Sequence, residues 1–175
     1  MTRVYVSIGS NQQSERHVRA ALDALAEGFG ELVISSVYES EAVGFEGENF
    51  LNLVVGLDTV LPVRELSDWL KEVEDANGRR RGVPKFSPRT LDLDILTYDD
   101  VVGEPGGVEL PRPEILKNAF VLLPLAEIAP RERHPAVGTT YGKLWQDYDR
   151  DQRLWPVSFE WRGQLISPRA DSPLT

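Results

Sequence analysis

The period of hydrophobic and polar positions changes several times along the chain, and each change marks an element. Residues 3–8 (RVYVSI) are rich in β-branched and aromatic types and stop at Gly9-Ser10-Asn11, a cluster of turn formers, which predicts a first strand. Val18, Ala21, Leu22, Leu25 and Phe29 then recur at spacings of three and four. That spacing predicts an amphipathic helix with Ser14 as its N-cap and Gly28 or Gly30 to end it. ELVISSVY (31–38) and FLNLVVGL (50–57) predict two further strands. The segment between them, ESEAVGFEGEN, is longer than a hairpin requires and is a candidate functional loop.

LPVRELSDWLKEVEDANG (61–78) predicts a second helix, with Pro62 in its first turn, Val63, Leu66, Leu70 and Val73 on one stripe, and Gly78 past its end. After a loop punctuated by Gly82, Pro84 and Pro88, TLDLDIL (90–96) alternates polar and apolar as a half-buried strand does. The order βαββαβ predicts an α/β fold of the α+β kind: a ferredoxin-like core with two helices packed on a four-stranded antiparallel sheet. Residues 110–130 (LPRPEILKNAFVLLPLAEIAP) predict a short turn and a helix. TTYGKLWQDYDRD (139–151) predicts a C-terminal helix with Leu144, Trp145 and Tyr148 inward, LWPVSFEWRGQLI (154–166) a terminal hairpin turning at Arg162-Gly163, and residues 167–175 a loose tail.

A chain of 175 residues, 41% hydrophobic, suits one core better than two. The N-terminus lacks the apolar run of a signal peptide, no run of eighteen apolar residues occurs, and cysteine is absent, so the cytoplasm is the expected compartment. Nineteen Lys plus Arg stand against 28 Asp plus Glu, a net charge of -9 that disfavours nucleic acid and anionic membrane as partners. Against that background RRRGVPKFSPR (79–89) stands out, with five cations in eleven positions running directly into Asp92 and Asp94. A local cationic patch in an acidic chain suits a small polyanion.

On a strand, Asp92 and Asp94 share one face, roughly 6 to 7 Å apart at the backbone, while Leu91, Leu93 and Ile95 take the other. Such a pair suits Mg²⁺, which takes one or two carboxylates and completes its octahedron with water and phosphate oxygens; two bridged ions would lie roughly 3.5 to 4 Å apart. Taken alone, D-x-D is a weak motif that better fits the polar side of an exposed strand. The upstream Arg79, Arg81, Lys85 and Arg89 favour the metal, because guanidinium forks match the phosphates such a metal would carry. The Gly/Pro-punctuated loop has the composition of a lid. A Walker-type loop is absent, and neither His17 nor His134 is placed for nucleophilic chemistry.

GRRRGVPKFSPRTLDLDIL resembles the signature of the 6-hydroxymethyl-7,8-dihydropterin pyrophosphokinase family of folate biosynthesis. VSIGSN (6–11), SSVYESEAVGFEGENFLN (35–52) and FVLLPLAEIAPRERHP (120–135) occur in the family's order, so the resemblance covers about residues 3–135 of a single domain expected over 1–166, with 154–166 as an extra hairpin. It implies transfer of the terminal diphosphate of ATP to the hydroxymethyl oxygen of the pterin, with release of AMP and two Mg²⁺ ions as cofactors. Carried over by position, Asp92 and Asp94 are the metal ligands, and Arg79, Arg89 and Asp94 are catalytic. Glu74, Arg81, Phe86, Ile95 and Arg112 fall at ATP-binding positions, and Ser40, Val43, Phe50, Asn52 and Phe120 at pterin-binding ones. Phe50 and Asn52 share a face of their strand, as stacking on a flat heterocycle and bonding its polar edge require, although core packing accounts for a phenylalanine equally well.

Several positions depart from the family pattern. Phe86 stands in place of a tryptophan, Ser87 of a glycine, Arg112 of a histidine, Asn118 of an arginine and Glu41 of a proline. They leave a second reading open, a divergent paralogue that binds nucleotide or pterin without transfer. An RNA-binding sheet is disfavoured by the net charge and by the lack of an aromatic RNP pattern. A monomer acting on small molecules is the expected state.

Overall fold

The computed structural model describes residues 1–41, 49–78, 90–149 and 151–169. The chain runs β1 (Thr2–Ser10), α1 (Ser14–Phe29), β2 (Val33–Ile34), β3 (Val37–Ser40), β4 (Phe50–Thr59), α2 (Val63–Ala76), β5 (Asp92–Tyr98), a 3-10 turn at Pro105–Gly107, α3 (Glu114–Lys117), α4 (Ala119–Ile128), α5 (Tyr141–Gln146), β6 (Leu154–Val157), β7 (Phe159–Trp161) and β8 (Gln164–Ser167). The main sheet has the order β5-β1-β4-β3-β6, with β2 paired to β4, and its pairings are antiparallel. Its first four strands carry the βαββαβ order and ferredoxin-like arrangement expected from the sequence.

Side-chain alternation divides the apolar residues between two layers. Val4, Val6, Ile8, Leu53, Val55, Leu93 and Ile95 point to one face and close a core with Val18, Leu22 and Leu25 of α1 and Leu66 and Leu70 of α2. Tyr5, Val54 and Leu96 lie in a second core with Ile115, Val121, Leu122, Leu125 and Tyr141. The helices after β5 therefore cover the opposite face of the sheet. The two-faced burial explains why β4 reads as a near-continuous apolar run.

Local chemistry moved several expected boundaries. Ser14 is the first residue of α1 rather than its cap; its hydroxyl donates to the Ser10 carbonyl at 2.8 Å, and the cap position is Gln13 in the left-handed region. Gly30, at φ 80°, ends that helix, whereas Gly28 serves packing: a Cβ there would lie 2.6 Å from the Trp69 ring. Pro62 sits at the N-cap of α2, one residue before the first turn. Residues 31–38 do not form one strand. Val54 N–H donates to Ser35 Oγ at 2.9 Å and Ser36 turns its N–H and hydroxyl to the Glu127 carboxylate, so the ladder breaks between β2 and β3.

The C-terminal region differs most from expectation. β6 pairs with β3 and covers that edge of the main sheet, and only β7 and β8 form a hairpin, turning at Arg162-Gly163, where both residues have positive φ. β6, which carries Pro156, thereby becomes the outermost strand at that end of the sheet. The hairpin packs on α1, with Phe159 in the core and Trp161 Nε1 donating to Asp23 at 3.0 Å. α5 stops at Gln146, so Tyr148 lies beyond it, stacked on Trp145. Residues 167–169 are not loose: Ser167 Oγ accepts from Val37 N–H at 2.8 Å, and Arg169 N–H donates to Ser36 Oγ at 2.8 Å.

Glu127 is 4% exposed and takes donors from Ser36 N–H, Ser36 Oγ and Tyr38 Oη, the last two at 2.9 Å. Burial, with the neighbouring carboxylate, pushes the Tyr38 phenol above its usual range, so it remains a donor. Glu127→Ala strands those donors and is expected to cost about 3 kcal/mol or more in urea unfolding. His134 is buried, its Nδ1 accepting from Ala136 and Val137 N–H at 3.1 and 3.2 Å, and burial lowers its pKa below 6.5. The unfolded chain therefore binds a proton that the native ring resists, and the stabilisation present above pH 6.5 is lost as pH falls toward the folded value. His134→Asn is expected to reduce the fall in melting temperature between pH 7 and pH 5.

Candidate active site

Register across the central strand assembles the site. Gly9 of β1 is opposite Asn52 on one side and Asp92 on the other, and Ser7 is likewise opposite Val54 and Asp94. Directly paired residues project to the same face of an antiparallel sheet. Phe50, Asn52, Asp92 and Asp94 thus share the face opposite the α1/α2 core. Gly9 supplies the floor: a Cβ there would sit 3.7 Å from Asn52 Oδ1 and 4.0 Å from Phe50 Cδ1, so the missing side chain leaves open surface between the amide and the carboxylates.

Asn52 is buried and held in one orientation. Its Nδ2 donates to Ser40 Oγ at 2.8 Å and to the Tyr38 carbonyl at 3.4 Å, which turns Oδ1 toward Gly9. Ser40 is itself buried at the end of β3, opposite Phe50. The amide oxygen therefore faces the open floor as an acceptor, beside a half-buried aromatic ring.

The second wall is the start of α4. Glu127 pins the far end of that helix to Ser36 and Tyr38, while Gln152 Oε1 accepts the Ala119 N–H at 2.6 Å, two residues before Leu154 pairs with Ser40. Ala119 to Glu127 spans roughly 12 Å of helix, and Ser36 to Ser40 roughly 13 Å of strand. The helix therefore lies along β3 with its first turn at the Ser40 end. Phe120 is in that turn, half-buried against the second core.

Around the carboxylates, Arg112 Nη2 lies 3.5 Å from Asp94 Oδ1, and its Nε is paired with Glu114; the Arg112 and Asp94 side chains are 35% and 38% exposed. Arg112 is carried there by its backbone N–H, which bonds the Leu96 carbonyl at 2.9 Å. Glu74 is buried at the end of α2, and its Oε2 accepts the Leu93 N–H at 2.8 Å, covering the outer edge of β5 midway between the two aspartates. Ile95 stands apart, its side chain buried in the core on the far face. Val43, Arg79, Arg81, Phe86 and Arg89 fall outside the described residues. Among the described residues no group of three or more metal-binding side chains occurs, so Asp92 and Asp94 stand as a pair.

Four residues of this region escaped the sequence reading. Gly9 was visible only as a turn former, because its role depends on two pairings at once. Gln152 acts through a partner 33 residues away, and Glu114 through Arg112, two residues before it in the turn leading into α3. Glu127 did carry a signal: one carboxylate in the apolar run FVLLPLAEIA requires buried partners.

A ferredoxin-like sheet with a carboxylate pair, an oriented amide and the Phe50 ring on one face defines an α+β protein. Residues 5–130 match the family described as 7,8-dihydro-6-hydroxymethylpterin-pyrophosphokinase (HPPK), and the chain belongs to that family. It is 37% identical over 158 residues to the 2-amino-4-hydroxy-6-hydroxymethyldihydropteridine pyrophosphokinase of Aquifex aeolicus, covering 89% of this chain and 96% of that protein. It is 39% identical over 138 residues to the Pseudomonas aeruginosa enzyme of the same name, covering 76% and 84%. The fold is similar to that in the crystal structure of wild-type Plasmodium falciparum HPPK-DHPS, with a TM-score of 0.63 at 14% identity over 84% of this chain; the match spans 44% of that longer chain. Among the described residues no helix is long and apolar enough to cross a membrane.

Glu74→Ala uncovers the Leu93 amide. The variant is expected to speed hydrogen exchange at that amide and to cost about 1 to 3 kcal/mol in unfolding. Glu74→Gln, which keeps an acceptor, should retain most of the protection.

Proposed function

We propose that this chain transfers the terminal diphosphate of ATP to the hydroxymethyl oxygen of 6-hydroxymethyl-7,8-dihydropterin, with Asp92 and Asp94 as the metal-binding pair and Phe50, Asn52 and Phe120 as the pterin pocket. The observation that carries the reading is the register at Gly9, which sets Asn52 and Asp92 on either side of one bare backbone position. A flat ring lying over Gly9 can meet the Asn52 amide at one edge while its substituent reaches toward the carboxylates. The family's membership and the names of its curated relatives support the same chemistry.

The donor set suits a hard cation. Asp92 and Asp94 point to one face, both partly exposed, and Mg²⁺ takes one or two carboxylates with oxygens of water and phosphate for the rest. When bound, such ions neutralise phosphate charge. The remaining work belongs to the chain. Phe50 and Phe120 stack the ring and exclude water from its faces, and Asn52 fixes its rotation through the oxygen that Ser40 orients. Arg112, partly exposed and 3.5 Å from Asp94, is a cation that can pair with a phosphate oxygen. The loop cations Arg79, Arg81 and Arg89, near the pair in sequence, supply further charge for the phosphates.

In the transfer, the hydroxymethyl oxygen bonds to the β-phosphorus, the bond from that phosphorus to the α–β bridging oxygen breaks, AMP leaves, and the hydroxyl proton is lost. Opposed placement of the attacking and leaving oxygens provides the in-line geometry, so positioning and charge stabilisation carry the rate. The test is AMP release from ATP with and without the pterin. Dependence on pterin and Mg²⁺ is expected; saturable binding with no AMP would mark a binding paralogue. Asp94→Ala is expected to lower turnover by on the order of a hundredfold or more with an unchanged circular dichroism spectrum, and near-normal turnover would remove Asp94 from the site.

A further inference from the structure

The segment that follows α5 joins the two walls of the pocket. Gln152 Oε1 accepts from Ala119 N–H at 2.6 Å and from Tyr148 Oη at 2.7 Å, and its Nε2 donates to the Lys117 carbonyl at 3.0 Å. Tyr148 Oη also bonds the Lys117 carbonyl at 2.8 Å. Asn118, at the N-cap of α4, makes no side-chain capping bond, so a residue 33 positions away does that work for the Ala119 amide. Two residues later Leu154 pairs with Ser40, the residue that holds the Asn52 amide, and Arg153 lies 3.6 Å from Glu41.

We infer that Gln152 is a positioning residue for the aromatic substrate: by capping α4 from the C-terminal segment, it fixes Phe120 relative to Phe50 and Asn52. This rests on the pterin reading of those three residues. The geometry is direct. Phe120 follows the capped Ala119, and the backbone from Gln152 to Leu154 spans at most about 7 Å, so the start of α4 cannot move away from the end of β3 without breaking either the cap or the β3–β6 pairing. The segment between α5 and β6 thereby sets the width of the slot.

The residue acts on pterin affinity rather than on the chemical step. Loss of the cap lets the first turn of α4 fray, and the binding energy then includes the cost of reordering it. Gln152→Ala is expected to weaken binding of 6-hydroxymethylpterin roughly five- to tenfold, measured by titration calorimetry with and without Mg²⁺ and a nonhydrolysable ATP analogue. Affinity for the analogue should stay within about twofold, and kcat should change much less than the pterin KM. Gln152→Glu keeps both accepted bonds and loses the donated one, so it should fall between wild type and alanine. Tyr148→Phe, which removes the hydroxyl bonded to both Gln152 and Lys117, should shift pterin affinity in the same direction.

A lower melting temperature with pterin affinity unchanged in both Gln152→Ala and Tyr148→Phe would assign the segment a purely structural role and overturn the inference. Equal losses for pterin and nucleotide would overturn it as well. Wild-type protein that binds no pterin would sink the functional reading and the inference together. Wild-type binding matched by Gln152→Ala would sink the inference alone.

Discussion

Because β1 is paired along both edges, its register decides which residues of β4 and β5 stand beside one another, and the chemistry follows from that alignment. A one-residue slip of β5 would send Asp92 and Asp94 toward the α1/α2 core and bring Leu93 and Ile95 to the ligand face. Burial of two apolar layers forbids it. The hydrophobic cores therefore do more than hold the sheet together: they fix the phase of its polar positions. Ser10 reinforces the register by donating its hydroxyl to the Thr90 carbonyl, which anchors the chain just before β5 begins.

The same face of the sheet is apolar at one end and polar at the other. Tyr5, Val54 and Leu96 accept the helices that follow β5, while Gly9, Asn52, Asp92 and Asp94 remain outside that packing. α4 marks the boundary, held at one end by the buried Glu127 carboxylate and at the other by Gln152. A carboxylate so deeply buried is tolerable because each bond it accepts replaces one lost from water. Pinning both ends turns a short, strongly apolar helix into a wall with a defined position along β3.

Electrostatics complete the arrangement. The chain is acidic overall, yet Arg112 lies against Asp94 and Glu114, and the cations of residues 79–89 lead directly to β5. A partly exposed carboxylate beside a partly exposed guanidinium forms a site that can exchange one cationic partner for another without leaving a buried charge unpaired. Such a site suits a polyphosphate that arrives with its own counter-ions.

The sequence by itself determined the βαββαβ order of the core, the ferredoxin-like arrangement that order implies and the facing of Asp92 and Asp94, since these follow from local period and strong turn formers. It also marked residues 79–96 as the chemical segment, because charge contrast and D-x-D spacing are local properties. Only the tertiary structure decided that residues 31–38 split in two, that residues 154–166 divide between a sheet edge and a hairpin, and that Gly9, Glu114, Glu127 and Gln152 shape the site. Most of those outcomes depend on a partner distant in the chain: Ser36 with Glu127, β6 with β3, Ala119 with Gln152. Hydrogen-bond partners across the fold leave no periodic trace in the chain that carries them, and so they are read only where the backbone has already brought them together.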